Sequence, residues 1–141
     1  MIELIFVIVV IGILASIAIP RLWVTRDDAM IAKGRSEVST IRSSILTFRQ
    51  RNLLEGNASY PAALDAAAIN TEDEALFGTL FDYPVFSQNR NGHWMKTGAN
   101  QYIYRIMDRN VLFTYTPATG RFECNASNAN PTGDLCRQLT R

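Results

Sequence analysis

The chain has 141 residues, 48% of them hydrophobic, with 14 basic against 13 acidic side chains and a formal net charge of +1. That length allows one modest domain beside any anchor. A balance so near neutrality leaves no electrostatic footprint for nucleic acid or another polyanionic partner.

Residues 1–20 read MIELIFVIVVIGILASIAIP, and from Leu4 to Ile19 there is no charge and only one polar side chain, Ser16. The run approaches the ~17–25 residues that cross a bilayer as a helix. In lipid even β-branched residues are forced into a helix, because unpaired backbone groups find no water. A cleaved signal peptide would need a basic stretch ahead of the run and a small-residue cut site behind it. No basic residue precedes the run, although Ala15-Ser16-Ile17-Ala18 supplies small residues. Glu3 stands at the head. An ionised carboxylate costs ~2.5–3.5 kcal/mol in hydrocarbon, so Glu3 either reaches the headgroups or meets a cation within an assembly of such helices. The simplest cation is the α-amino group of a neighbouring chain. Gly12 permits close helix approach. Pro20 deletes the hydrogen bond to the Ser16 carbonyl, which predicts a kink or a melted turn.

Helical patterning resumes beyond Pro20. Ile31, Val38, Ile41, Ile45 and Phe48 form one stripe, while Arg35, Glu37, Arg42, Arg49 and Arg51 fall mostly off it. Gly56-Asn57 marks the stop. The whole is expected to be one helix of ~50 residues, about 80 Å long. The chain thus divides into a transmembrane and assembly helix over 1–20, its amphipathic continuation over 21–56, and a globular part over 57–141.

Tyr60-Pro61 predicts a turn, Ala62 to Ala68 a short helix, and Thr71-Glu72-Asp73-Glu74 a second helix start, with acids in its first turn. Asn89, Asn91 and Gly92 mark a turn. Gln101 to Met107 alternates Tyr102, Tyr104 and Ile106 against Ile103 and Met107. A second strand is expected over Val111 to Thr116 and a third from Arg121 to Cys124, with Pro117, Thr119 and Gly120 turning between them. Together they predict a three-stranded antiparallel meander covering the helix stripe, hence an α+β fold. Asn125 to Leu135 is expected to be loop.

The two cysteines, Cys124 and Cys136, lie behind an apolar N-terminus. Export would join them as a disulfide worth about 3 kcal/mol; a reducing compartment would leave free thiols. Their spacing, with His93 far upstream, is a poor zinc pattern.

Nothing in the chain supports an enzyme. His93 is the single histidine, no Gly-x-Ser-x-Gly nucleophile motif occurs, and Glu72, Asp73 and Glu74 suit a solvated helix start. A basic patch of Arg90, Lys96, Arg105, Arg109 and Arg121 beside Trp94, Tyr102 and Tyr104 would offer stacking groups to nucleic acid, against the commoner outcome of scattered surface charges. Asn57-Ala58-Ser59 and Asn125-Ala126-Ser127 are N-glycosylation sequons. Glu55 and Glu123 each stand two residues ahead, as in the extended acidic sequon of some bacterial systems. Asn125, Asn128, Asn130 and Asp134 supply oxygen atoms of the kind that bind calcium, but without a bidentate acid cluster, and amide-rich turns are usually just turns.

The segment MIELIFVIVVIGILASIAIPRL resembles the N-terminus of type IV pilins and type II secretion pseudopilins. Glu3 matches that family's glutamate, Gly12 its helix-packing glycine and Pro20 its kink proline. Beyond these residues the likeness is architectural: a continued helix, a small sheet and a C-terminal cysteine pair. The Tyr60-Pro61 and Thr116-Pro117-Ala118-Thr119-Gly120 turns resemble pseudopilin loops more weakly. The resemblance implies a structural subunit, held first in the inner membrane by a single pass with its C-terminal domain in the periplasm. The subunit then polymerises through the apolar helix into a pilus or pseudopilus. Its implied partners are identical or related subunits, membrane lipid, an assembly platform and a prepilin peptidase, and no cofactor is implied. Arg21 and Arg26 lie beyond the anchor, and the positive-inside rule would draw that side to the cytoplasm. A basic leader ahead of Met1 would restore the family's orientation, so truncation or prior removal of a leader is expected rather than an uncleaved chain. A DNA-uptake (transformation) pseudopilin and a non-polymerising, single-pass membrane-anchored binding protein are the alternatives.

Overall fold

The computed structural model covers residues 1–141 and describes side chains for residues 1–18 and 25–141. One helix, α1 (Ile2–Leu54), dominates it. At 1.5 Å per residue α1 is about 80 Å long. It stops where the sequence breaks: Glu55 caps it and Gly56 follows at a φ of 84°, a left-handed conformation that glycine adopts without strain.

The C-terminal half of α1 lies across a four-stranded antiparallel sheet in the order β3-β4-β5-β6, formed by β3 (Trp94–Gly98), β4 (Gln101–Ile106), β5 (Arg109–Thr116) and β6 (Arg121–Cys124). A separate pair, β1 (Ala75–Leu76) and β2 (Val85–Phe86), lies in the connection between helix and sheet. A short helix, α2 (Gly133–Thr140), closes the chain. The fold is therefore α+β, with an N-terminal helix, antiparallel sheets and a Cys124–Cys136 disulfide whose Cα atoms lie 5.8 Å apart.

The core forms where the helix stripe meets the inward face of the sheet. Ile31, Val38, Ile41 and Ile45 are buried against Tyr102, Tyr104, Val111, Phe113, Tyr115 and Phe122. The alternation read in β4 is the alternation that buries, and β5 buries alternate residues in the same way. Phe113 and Phe122 stack at 5.1 Å between centroids, and Trp94 meets the Phe77 ring edge-on at 5.8 Å. Such pairs contribute about 0.5–1.5 kcal/mol each beyond their burial. Gly34 lets the sheet and α2 approach α1 closely, since a Cβ there would collide with Tyr104 and Leu139.

Polar residues beside the stripe clamp the domain. Arg42 Nε donates to the Phe122 carbonyl at 3.0 Å, Arg35 Nε to that of Gln138 at 2.9 Å, and Lys33 Nζ to that of Gly92 at 2.8 Å. Tyr104 returns a bond from its hydroxyl to the Met30 carbonyl at 3.0 Å.

Several expected elements differ. Neither Ala62–Ala68 nor the segment after Thr71 is helical. Asp65 Oδ1 accepts the Ala67 N–H at 3.2 Å and Oδ2 the Phe77 N–H at 3.1 Å, so this side chain competes with a helical backbone. Asp73 takes a φ of 58°, and Glu72 Oε1 accepts the Asn89 N–H at 2.9 Å, leading the chain into β1. The sheet also has one strand more than the expected meander: β3 forms the edge beside β4. The Asn125–Leu135 loop is shorter than expected because α2 begins at Gly133, docked by Leu135 and Leu139 and tied by Cys136.

Candidate functional site: the bare half of the long helix

Every described residue from Met1 to Ala18 is exposed, including Ile2 at 85% and Phe6 at 69%, and the first buried residue of α1 among the described ones is Ile31. The apolar half of α1 therefore stands clear of the domain that its other half supports. A Cβ at Gly12 would meet nothing within 4 Å. The lone polar side chain of the run is satisfied internally, because Ser16 Oγ donates to the Ile13 carbonyl at 2.7 Å. A surface of this kind is costly in water and suits either lipid or a second apolar helix. Glu3 lies in the first turn, where the helix dipole favours an anion, and it is exposed. Among the described residues it has no hydrogen-bond or ion-pair partner. The expected kink at Pro20 lies outside the described residues.

The membrane span expected over 1–20 is not met in full. Among the described residues no helix is long and apolar enough to cross a membrane.

The nucleic-acid constellation does not assemble. Trp94, Tyr102 and Tyr104 are fully buried, so these three rings present no stacking surface. Lys96 is buried too, donating to Asp65 Oδ1 at 2.7 Å and to the Ala67 carbonyl at 2.9 Å. Arg105 is held by Asn89 at 2.9 Å, and Arg121 lies 3.4 Å from Glu123.

The oxygen-rich loop is committed to its own chain. Arg109 grips Asp134 through two bonds of 3.0 and 3.2 Å and also reaches the Pro131 carbonyl. The Arg109 side-chain bond, followed by backbone N–H bonds, holds the Asp134 carboxyl below the usual range. Arg137 takes the Asn128 oxygen at 2.9 Å, and Asn130 Oδ1 accepts from the Thr132 N–H at 3.3 Å. The amides and the one acid that would ligate calcium thus face arginines and backbone donors. Among the described residues no three His, Cys, Asp or Glu side chains are grouped to hold a metal.

His93 is half-buried, and burial first, then Lys33 and Arg90, hold its imidazole below the usual range. Asn57 and Asn125 are both exposed. Sequence reasoning missed the buried Lys96–Asp65 pair, because their separation along the chain left no local signal.

These features define an α+β protein whose single long helix is half clad by its domain and half bare. Comparison with family models, with characterised proteins and with solved structures finds no match.

Proposed function

We propose that this chain is a structural subunit of a type IV pilus or type II secretion pseudopilus, polymerising through its apolar N-terminal helix. One observation carries the reading: the apolar half of α1 is bare from Met1 to Ala18 while the same helix continues into a fully packed domain. Exchange of lipid for neighbouring copies of the helix keeps that surface dry in both states, so assembly needs no large net hydrophobic gain. Before assembly the subunit rests in the inner membrane with its domain in the periplasm. An assembly platform then lifts it into the filament after a prepilin peptidase has removed the leader. Glu3, the one charge on the bare helix, is neutralised there by the terminal amine of an adjacent subunit, which sets the axial register. The role is structural rather than catalytic.

The test is complementation of a deletion strain with the full-length gene, leader included. Glu3→Ala should reach the membrane fraction at wild-type level yet give few or no filaments and lose the associated transport. Normal filaments and normal transport from that variant would overturn the reading and favour a simple membrane-tethered binding protein.

A further inference from the structure

We propose that Asn125 is an acceptor for an N-linked glycan and that the groove beside it seats the first sugar residues. The sequon Asn125-Ala126-Ser127, with Glu123 two residues ahead, leaves the end of β6 in an exposed turn. Asn125 Oδ1 accepts the Ser127 N–H at 3.0 Å. That bond draws electron density toward the carboxamide oxygen and makes the Nδ2 protons more acidic. Among the described residues Nδ2 itself has no acceptor, so the nucleophilic atom faces solvent uncommitted.

The turn is rigidly presented. Asn130 Nδ2 bonds the Asn125 carbonyl at 2.7 Å, Arg137 bonds that of Ala126 at 2.6 Å, and Cys124 next door is crosslinked to Cys136. A groove of about 470 Å³ opens directly at Asn125. Its lining combines Asn110, Thr114, Glu123 and Thr132 with Leu112, whose side chain is 44% exposed. Amide, carboxylate and hydroxyl groups around an apolar floor match a sugar ring, which has hydroxyls at its edge and C–H bonds on its face. Leu112 and Thr114 alternate with the core residues Val111, Phe113 and Tyr115, so the groove lies on the sheet face turned away from α1.

Asn57 is the internal control. It is exposed and carries Glu55 two residues ahead, but among the described residues its side chain has no hydrogen-bond partner, and its backbone N–H bonds the Asn52 carbonyl at 2.8 Å. It does not line the groove at Asn125.

The donor is a lipid-pyrophosphate-linked oligosaccharide, delivered by a transferase on the domain's side of the membrane. Asn125 Nδ2 forms a bond to the anomeric carbon as the bond from that carbon to the phosphate oxygen breaks. The lipid pyrophosphate leaves with the electron pair, and the proton from Nδ2 passes to a base of the transferase. No oxidant or reductant is needed.

The experiment is peptide mass mapping of the full chain purified from its native host. After reduction, trypsin releases Phe122–Arg137 with Asn125 and, separately, Asn52–Arg90 with Asn57. Most of the Phe122–Arg137 peptide should carry a saccharide mass increment. Asn125→Gln and Ser127→Ala should each reduce it below detection, while Ser127→Thr and Asn57→Gln retain it. Ser127→Ala keeps the asparagine and its backbone bond, and an intact disulfide in that variant separates lost modification from lost folding. An unmodified Phe122–Arg137 peptide, or an increment confined to Asn52–Arg90, overturns the proposal.

Discussion

Substitution of Lys96 by methionine should unfold the connection between helix and sheet more readily than any surface change. The ammonium lies 2.7 Å from Asp65 Oδ1, with the two side chains only 7% and 1% exposed. Asp65 also accepts the Ala67 and Phe77 N–H groups, and Lys96 donates to the Ala67 carbonyl, so the pair joins β3 to residues 65–77. Lys96→Met fills a similar volume but leaves a carboxylate buried without its cation. Breaking a buried pair from one side costs about 3–5 kcal/mol. At roughly 4 °C per kcal/mol for a domain of this size, the midpoint should fall by about 12–20 °C. Asp65→Asn/Lys96→Met removes both charges and should recover part of that loss. The contrast is Arg121→Ala: Arg121 and Glu123 are 69% and 56% exposed, and such a pair contributes at most about 1 kcal/mol. Thermal unfolding in detergent, followed by near-ultraviolet circular dichroism of the aromatic core, measures each variant. A Lys96→Met midpoint equal to that of Arg121→Ala would refute the assignment of the pair as an internal pin.

Two further outcomes follow from the same core. Burial, opposed by Lys33 and by the Trp94 hydrogen bond at 2.9 Å, holds the Glu37 carboxyl above its usual range. A carboxyl raised by folding takes up a proton, so its contribution is fullest below the unfolded pKa and is lost as pH climbs through the folded value. Glu37→Gln keeps an oxygen for Trp94 and should match or exceed wild-type stability at neutral pH, the gap closing toward about pH 4; a gap that widens in acid contradicts this. Cys136→Ser should cost about 3 kcal/mol by freeing the short loop to Cys124 and should loosen α2 from α1. Unchanged melting with and without reductant would show that the crosslink constrains nothing.

The elements that were legible in the sequence are those whose burial has a local period. Ile31, Val38, Ile41 and Ile45 repeat as a helix does, Tyr102, Tyr104 and Ile106 as a strand does, and both sets are buried. β3 escaped that reading because Trp94, Met95 and Lys96 are buried in succession, which erases the alternation. The absent helices at Ala62–Ala68 and after Thr71 follow from Asp65, which bonds both the nearby Ala67 N–H and the distant Phe77 N–H, and from Glu72 and Ser87, which bond distant backbone. α2 went unseen because a helix of eight residues has little stability alone; docking on α1 and the crosslink hold it.

By itself, the sequence determined the bare apolar rod, its single acid at Glu3, the helix stop before Gly56 and the two central strands, since each rests on neighbours in the chain. Tertiary structure alone decided that Trp94 and Lys96 face inward, that Arg109 and Arg137 occupy the oxygen-rich loop, and that Asn125 opens on a groove. Those outcomes depend on which distant surfaces meet, because burial removes a side chain from solvent and a remote charge or carbonyl then becomes its partner.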